Sequence, residues 1–158
     1  MIPLTLDLPK RVITFEHNKK YFDKTLDVLE GSQLGNLVDL VDAPLIEMQV
    51  DDEMYLYYSC EEKLTQLASI YSERVAKILV LVDGPPGVTG PLARLPAVPM
   101  LLNLLGKHKI DIVLDDYIRK DEKETAVRWK KQFEKRNITY EEELIPCEKE
   151  ALFLSVNP

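Results

Sequence analysis

Acidic side chains standing just after apolar runs are the groups in this chain equipped for chemistry. The run 78–82 (ILVLV) is followed by Asp83, and the run 110–114 (IDIVL) by Asp115 and Asp116. Two earlier runs behave alike: 11–15 (RVITF) leads into Glu16, and 37–41 (LVDLV) into Asp42. Short β-branched runs of this kind read as strands buried on both faces, as in a parallel sheet covered by helices. About thirty residues separate the last two runs, room for a right-handed helical crossover. The carboxylates would then emerge together at the carboxyl ends of neighbouring strands, where open α/β sheets bind their ligands. Arg94 and Arg119 fall on the same side by this reading, either to clamp an anionic group through a planar fork or to neutralise the aspartates. His17, beside Glu16, would line the same pocket, whereas His108, between Lys107 and Lys109, reads as exposed.

The elements that must position these groups alternate. A strand at 11–15 precedes a helix at 19–30 that is capped by Asn18, carries Tyr21, Phe22, Leu26 and Leu29 at helical spacing, and stops at Gly31. After the strand at 37–41, residues 46–58 alternate around Asp51-Asp52-Glu53 as a hairpin, and a helix follows over 61–73. The stiff segment GPPG leads into a mostly helical stretch, 92–105, whose regular start Pro96 and Pro99 delay. Residues 120–135 form the clearest helix, with Ala126, Trp129 and Phe133 as its buried stripe. The last two runs, 138–144 and 151–156, are joined too closely for anything but an antiparallel pair. The order β-α-β-(hairpin)-α-β-α-β-α-β-β predicts an α/β fold, a Rossmann-like, mostly parallel sheet flanked by helices, in one domain over 1–158.

Composition bounds the partners. A formal net charge of −7 on 158 residues argues against a nucleic-acid backbone or an anionic membrane, so the expectation is no nucleic acid and no membrane. The basic cluster Lys130, Lys131, Lys135 and Arg136 reads as a solvated helix face. No apolar run approaches the ~20 residues needed to span a bilayer. The N-terminus lacks the layout of a signal peptide, and Cys60 and Cys147 read as free thiols, so the expected location is cytoplasmic.

These elements together resemble the class I S-adenosylmethionine-dependent methyltransferase family, entered partway through and matched over about residues 11–156. LVDGPPG followed by VLDDYIR resembles a subgroup of small-molecule methyltransferases and is the most specific match. The resemblance implies S-adenosylmethionine as cofactor. Glu16 would bind the ribose hydroxyls, Asp42 the adenine amine and Ala43 would present backbone to the ring, with His17 and Asp83 completing the cofactor site. Asp83, Asp116 and Arg119 would act at the methyl acceptor, a small molecule. The catechol O-methyltransferase branch further implies Mg²⁺ on Asp83, Asp115 and Asp116, which would lower the pKa of a substrate hydroxyl. Asp116 departs from the Asn common there, and the alternative is three carboxylates solvated or hydrogen-bonded at loop starts.

One family element is missing from this sequence. The resemblance calls for a strand and Gly-rich turn ahead of Arg11, but no glycine occurs before Gly31. The expectation is therefore an N-terminally incomplete, truncated methyltransferase domain that binds the cofactor weakly. A second reading is a catalytically inactive scaffold or interaction subunit. A sheet without its central strand leaves edges unpaired, to be covered by residues 1–8, by a homo-oligomer or by a partner chain.

Overall fold

A computed structural model describes residues 12–157, and the expectations for residues 1–8 and Arg11 lie outside them. The described chain runs β1(Val12–Glu16), α1(Lys19–Glu30), β2(Val38–Asp42), β3(Leu45–Val50), β4(Glu53–Tyr58), α2(Glu61–Ile70), β5(Lys77–Val82), α3(Ala97–Leu105), β6(Lys109–Leu114), α4(Lys120–Lys135), β7(Thr139–Ile145) and β8(Ala151–Asn157). This is the α/β order read from the sequence, C-terminal strand pair included. It divides into two compact units, the first holding residues 12–45 with 58–60 and the second residues 46–57 with 61–157.

In the first unit β1 and β2 pair in parallel, Val12 opposite Val38 through Glu16 opposite Asp42. Asn18 starts the intervening α1 as expected, its side chain accepting from the Lys20 N–H at 3.1 Å. Gly31 ends it in the ordinary right-handed region, so no left-handed cap is needed there.

In the second unit the sheet order is β5-β6-β8-β7. β5 and β6 are parallel, β8 lies antiparallel beside β6, and β7 is antiparallel to β8. One face of this sheet is the core. Ile110, Ile112 and Leu114 of β6 and Leu152, Leu154 and Val156 of β8 are buried, as are Val98, Leu102 and Leu105 of α3 and Ala126, Trp129 and Phe133 of α4. Pro96 and Pro99 fall at the cap and first turn of α3, where a missing N–H costs nothing, and the helix starts at Ala97 rather than near Leu92. α2 ends at Ile70, three residues earlier than its periodicity predicts.

Two expectations fail here. β5 is not buried on both faces: Leu79 and Leu81 are 72% and 67% exposed on one of them. That face also carries a charge, since Asp111 in the middle of β6 is held by Lys77 at 3.0 Å and by the Ser155 hydroxyl at 2.8 Å. His108, read as exposed, is 1% exposed; its Nδ1 accepts from the Ala76 N–H at 3.1 Å. That bond places the proton on Nε2, which has no partner among the described residues.

Burial, and then Lys107, pull the His108 pKa below its ordinary value. The neutral ring is therefore the native one, while the unfolded chain takes up a proton near pH 6.5. Stability is fully present above that pH and falls as pH drops through 6.5 toward the native value, by at most about 1.4 kcal/mol per pH unit. His108→Asn keeps an acceptor near the Nδ1 position and should flatten this slope. Urea midpoints taken between pH 7.5 and 5 for both proteins provide the check.

Candidate functional site

At the carboxyl ends of β1 and β2 the chain builds a small acidic corner. Parallel register sets Glu16 opposite Asp42, and the Ala43 N–H donates to the Glu16 carbonyl at 2.9 Å. Glu16 Oε1 accepts from the Asn18 N–H at 2.7 Å and lies 3.3 Å from His17 Nδ1. A carboxylate offers about four lone-pair sites, so Glu16 keeps acceptor capacity for a hydroxyl-bearing ligand beyond this bond. The His17 ring is tilted against Tyr58, their centroids 5.7 Å apart. Asp42 is exposed, whereas Ala43 is fully buried and its N–H is already used. Of the residues expected around adenosine, Glu16 and Asp42 thus offer carboxylate acceptors and Ala43 offers packing.

A larger ionic cluster forms at the carboxyl ends of β5 and β6. Carboxylate oxygens of Asp83, Asp115 and Asp116 lie within 4.8 Å of one another. Their organiser is Arg94, in the turn before α3 and only 4% exposed. Its guanidinium donates to the main-chain carbonyls of Asp115 at 2.8 Å and Asp83 at 2.9 Å, and to Asp116 Oδ2 at 3.1 Å. Asp83 Oδ1 and Glu122 Oε1 stand further off, at 3.4 and 3.6 Å. One planar fork therefore ties the ends of both strands together. It does so from a turn that α4 holds through the Trp129 indole, which donates to the Leu95 carbonyl at 2.8 Å. Arg94 is thus the neutraliser of the two roles open to it, with its terminal nitrogens spent inside the protein.

Asp116 receives two more cations, Arg119 at 2.8 Å and Lys149 at 3.3 Å. Burial pushes its carboxyl up, but Arg94, Lys149 and Arg119 outweigh that and hold it below the usual carboxylate range. Asp83 differs. Its side chain is 63% exposed, and yet partial desolvation, opposed by Arg94 and reinforced by Asp115, raises its carboxyl above the ordinary value. The cluster therefore sorts into a fixed anion, Asp116, and an accessible, more basic one, Asp83.

The donor set does not fit a divalent ion. Mg²⁺ demands near-ideal octahedral oxygen geometry, and three cationic side chains already occupy the Asp116 oxygens. Sequence reasoning missed Glu122, 5% exposed, and Lys149 as members of this cluster. Glu122 carried a signal only as an acid in the first turn of a helix, which the helix dipole explains by itself.

No protein-family model and no curated protein matches this sequence. Solved structures do match in fold. One is a chain from Clostridium thermocellum provisionally assigned as an rRNA-methylase, with TM-score 0.51, 16% identity, and coverage of 93% of this chain and 72% of that one. Another is the N-terminal domain of human METTL16 in complex with SAH, with TM-score 0.52, 14% identity, and coverage of 93% of this chain and 52% of that one. This chain has the class I S-adenosylmethionine-dependent methyltransferase fold. It spans about half the length of the METTL16 chains, including a second METTL16 methyltransferase-domain structure of which it covers 50%.

These likenesses correct one expectation. A small-molecule substrate with no nucleic-acid partner does not stand beside a shared fold in a chain named as an rRNA-methylase. Net charge is a sum over the whole surface, whereas phosphate contacts are made by local patches. A total of −7 therefore never excluded such a partner. Among the described residues no helix is long and apolar enough to cross a membrane.

Proposed function

We propose that this chain acts in the S-adenosylmethionine-dependent methylation of an RNA base. The observation that carries the reading is the in-register pair Glu16 and Asp42 at the ends of two parallel strands, within a methyltransferase fold. Glu16 would accept from the ribose hydroxyls, Asp42 from the adenine amine, and His17 would wall the ribose side. When bound, the cofactor supplies an electrophilic methyl group. Within the second unit, Asp83, accessible and with its pKa raised, is the carboxyl suited to take up a proton. Arg94 holds it at 3.4 Å, and Arg119, 46% exposed, would meet an anionic group. The assignment needs no divalent ion.

Cofactor affinity tests it. Isothermal titration with cofactor up to millimolar should show binding that Glu16→Gln weakens about tenfold, the loss of a charged acceptor to the ribose hydroxyls. Binding indifferent to that substitution would overturn the adenosine site.

The second reading, a non-catalytic interaction subunit, draws on a different observation, the exposed Leu79 and Leu81 of β5.

A further inference from the structure

Among the described residues β5 hydrogen-bonds to β6 alone, with no strand on its other edge. Its sequence, KILVLV, carries none of the devices that normally blunt an edge: no proline and no charge after Lys77. Leu79 and Leu81 stand out from the same face, 72% and 67% exposed, flanked in register by Asp111 and Val113 of β6. An apolar, unguarded edge is a template for another strand.

We propose that this edge pairs with the same edge of a second copy of the chain, antiparallel, in a register centred on Val80. The strand is self-complementary in that register. Leu79 falls opposite Leu81 of the second copy, Ile78 opposite Val82, and Lys77 opposite Asp83, so apolar meets apolar and each end of the ladder joins a cation to an anion. Directly opposed residues point to the same face, so the four leucines merge into one apolar patch across the two-fold axis. Lys77 and Asp83 are both accessible for this, 74% and 63% exposed. Lys77 reaches Asp111 within its own chain at 3.0 Å and is left with hydrogen-bond donors to spare. Registers shifted by one residue either way lose the charge pairing and put the leucines of the two copies on opposite faces. The inference does not depend on the cofactor reading.

Sedimentation equilibrium of the full chain across micromolar concentrations tests it, with variants that report the register. The unmodified chain should dimerise reversibly, and Leu81→Lys, at a site exposed in the monomer, should be monomeric with unchanged urea stability. Lys77→Asp and Asp83→Lys each create two like-charge pairs and should each weaken the homodimer about tenfold. An equimolar mixture of these two variants should dimerise as the unmodified chain does, because every opposed pair is then complementary. A chain monomeric at all concentrations would overturn the proposal, whether hydrogen exchange then finds the β5 amides open or covered by its own residues. A dimer indifferent to Leu81→Lys, or single-charge variants not rescued by mixing, would overturn it equally.

Discussion

Replacing Arg94 with methionine is expected to destabilise the protein by about 3–5 kcal/mol, the range for removing one partner from a buried ionic cluster. The loss has two sources. Asp116 and Glu122 are buried and would lose a cation that compensates them. The carbonyls of Asp83 and Asp115 would lose the donors that tie β5 to β6 beyond their ladder. Arg94→Lys should recover the charge but not the fork, since an ammonium cannot span two carbonyls and a carboxylate in one plane, and should fall between the two. Urea unfolding with an unchanged m-value is the measurement. An Arg94→Met variant within about 1 kcal/mol of the parent would mean that the acids protonate or reach solvent at little cost.

Trp129→Ala should be comparably severe, about 3–5 kcal/mol, from the cavity left by a fully buried indole. Trp129→Phe separates packing from polarity. It keeps most of the bulk but leaves the Leu95 carbonyl without its 2.8 Å donor, expected to cost about 1–3 kcal/mol. Because Leu95 adjoins Arg94, the two effects should not add. A double-mutant cycle of Trp129→Phe with Arg94→Met should show a coupling of about 0.5–3 kcal/mol, read from the same urea transitions. Strict additivity would mean that the indole does not hold the turn that carries Arg94.

Much of this was legible in the residues, for reasons that differ by element. Ala126, Trp129 and Phe133 declare their helix face by spacing, and Asn18 declares a cap because its side chain competes locally for the N–H it satisfies. The strand-end acids were legible because a strand fixes where its last residue emerges. What stayed hidden depends on neighbours far away in sequence. Nothing local distinguishes an arginine bound for solvent from Arg94, whose burial needs carbonyls from two separate strands. His108 sits between two lysines and is buried only because the Ala76 amide comes to meet it. The exposure of Leu79 and Leu81 is likewise set by what covers β5, and the composition of the strand itself argued for the reverse.

Asp111 carries a consequence for how the chain is made. A ribosome delivers β6 and then α4 and β7 before β8, which nevertheless has to slot in between β6 and β7. At about 5–20 residues per second, the β6 edge waits roughly 2–8 s for its partner. During that interval a nascent strand of isoleucine, valine and leucine is a hazard for mispairing with other chains. An aspartate at its centre discourages strangers, since any strand that docks has to accommodate a carboxylate. β8 arrives with Ser155 opposite that position, its hydroxyl 2.8 Å from the carboxylate, and so fits where a purely apolar strand would not.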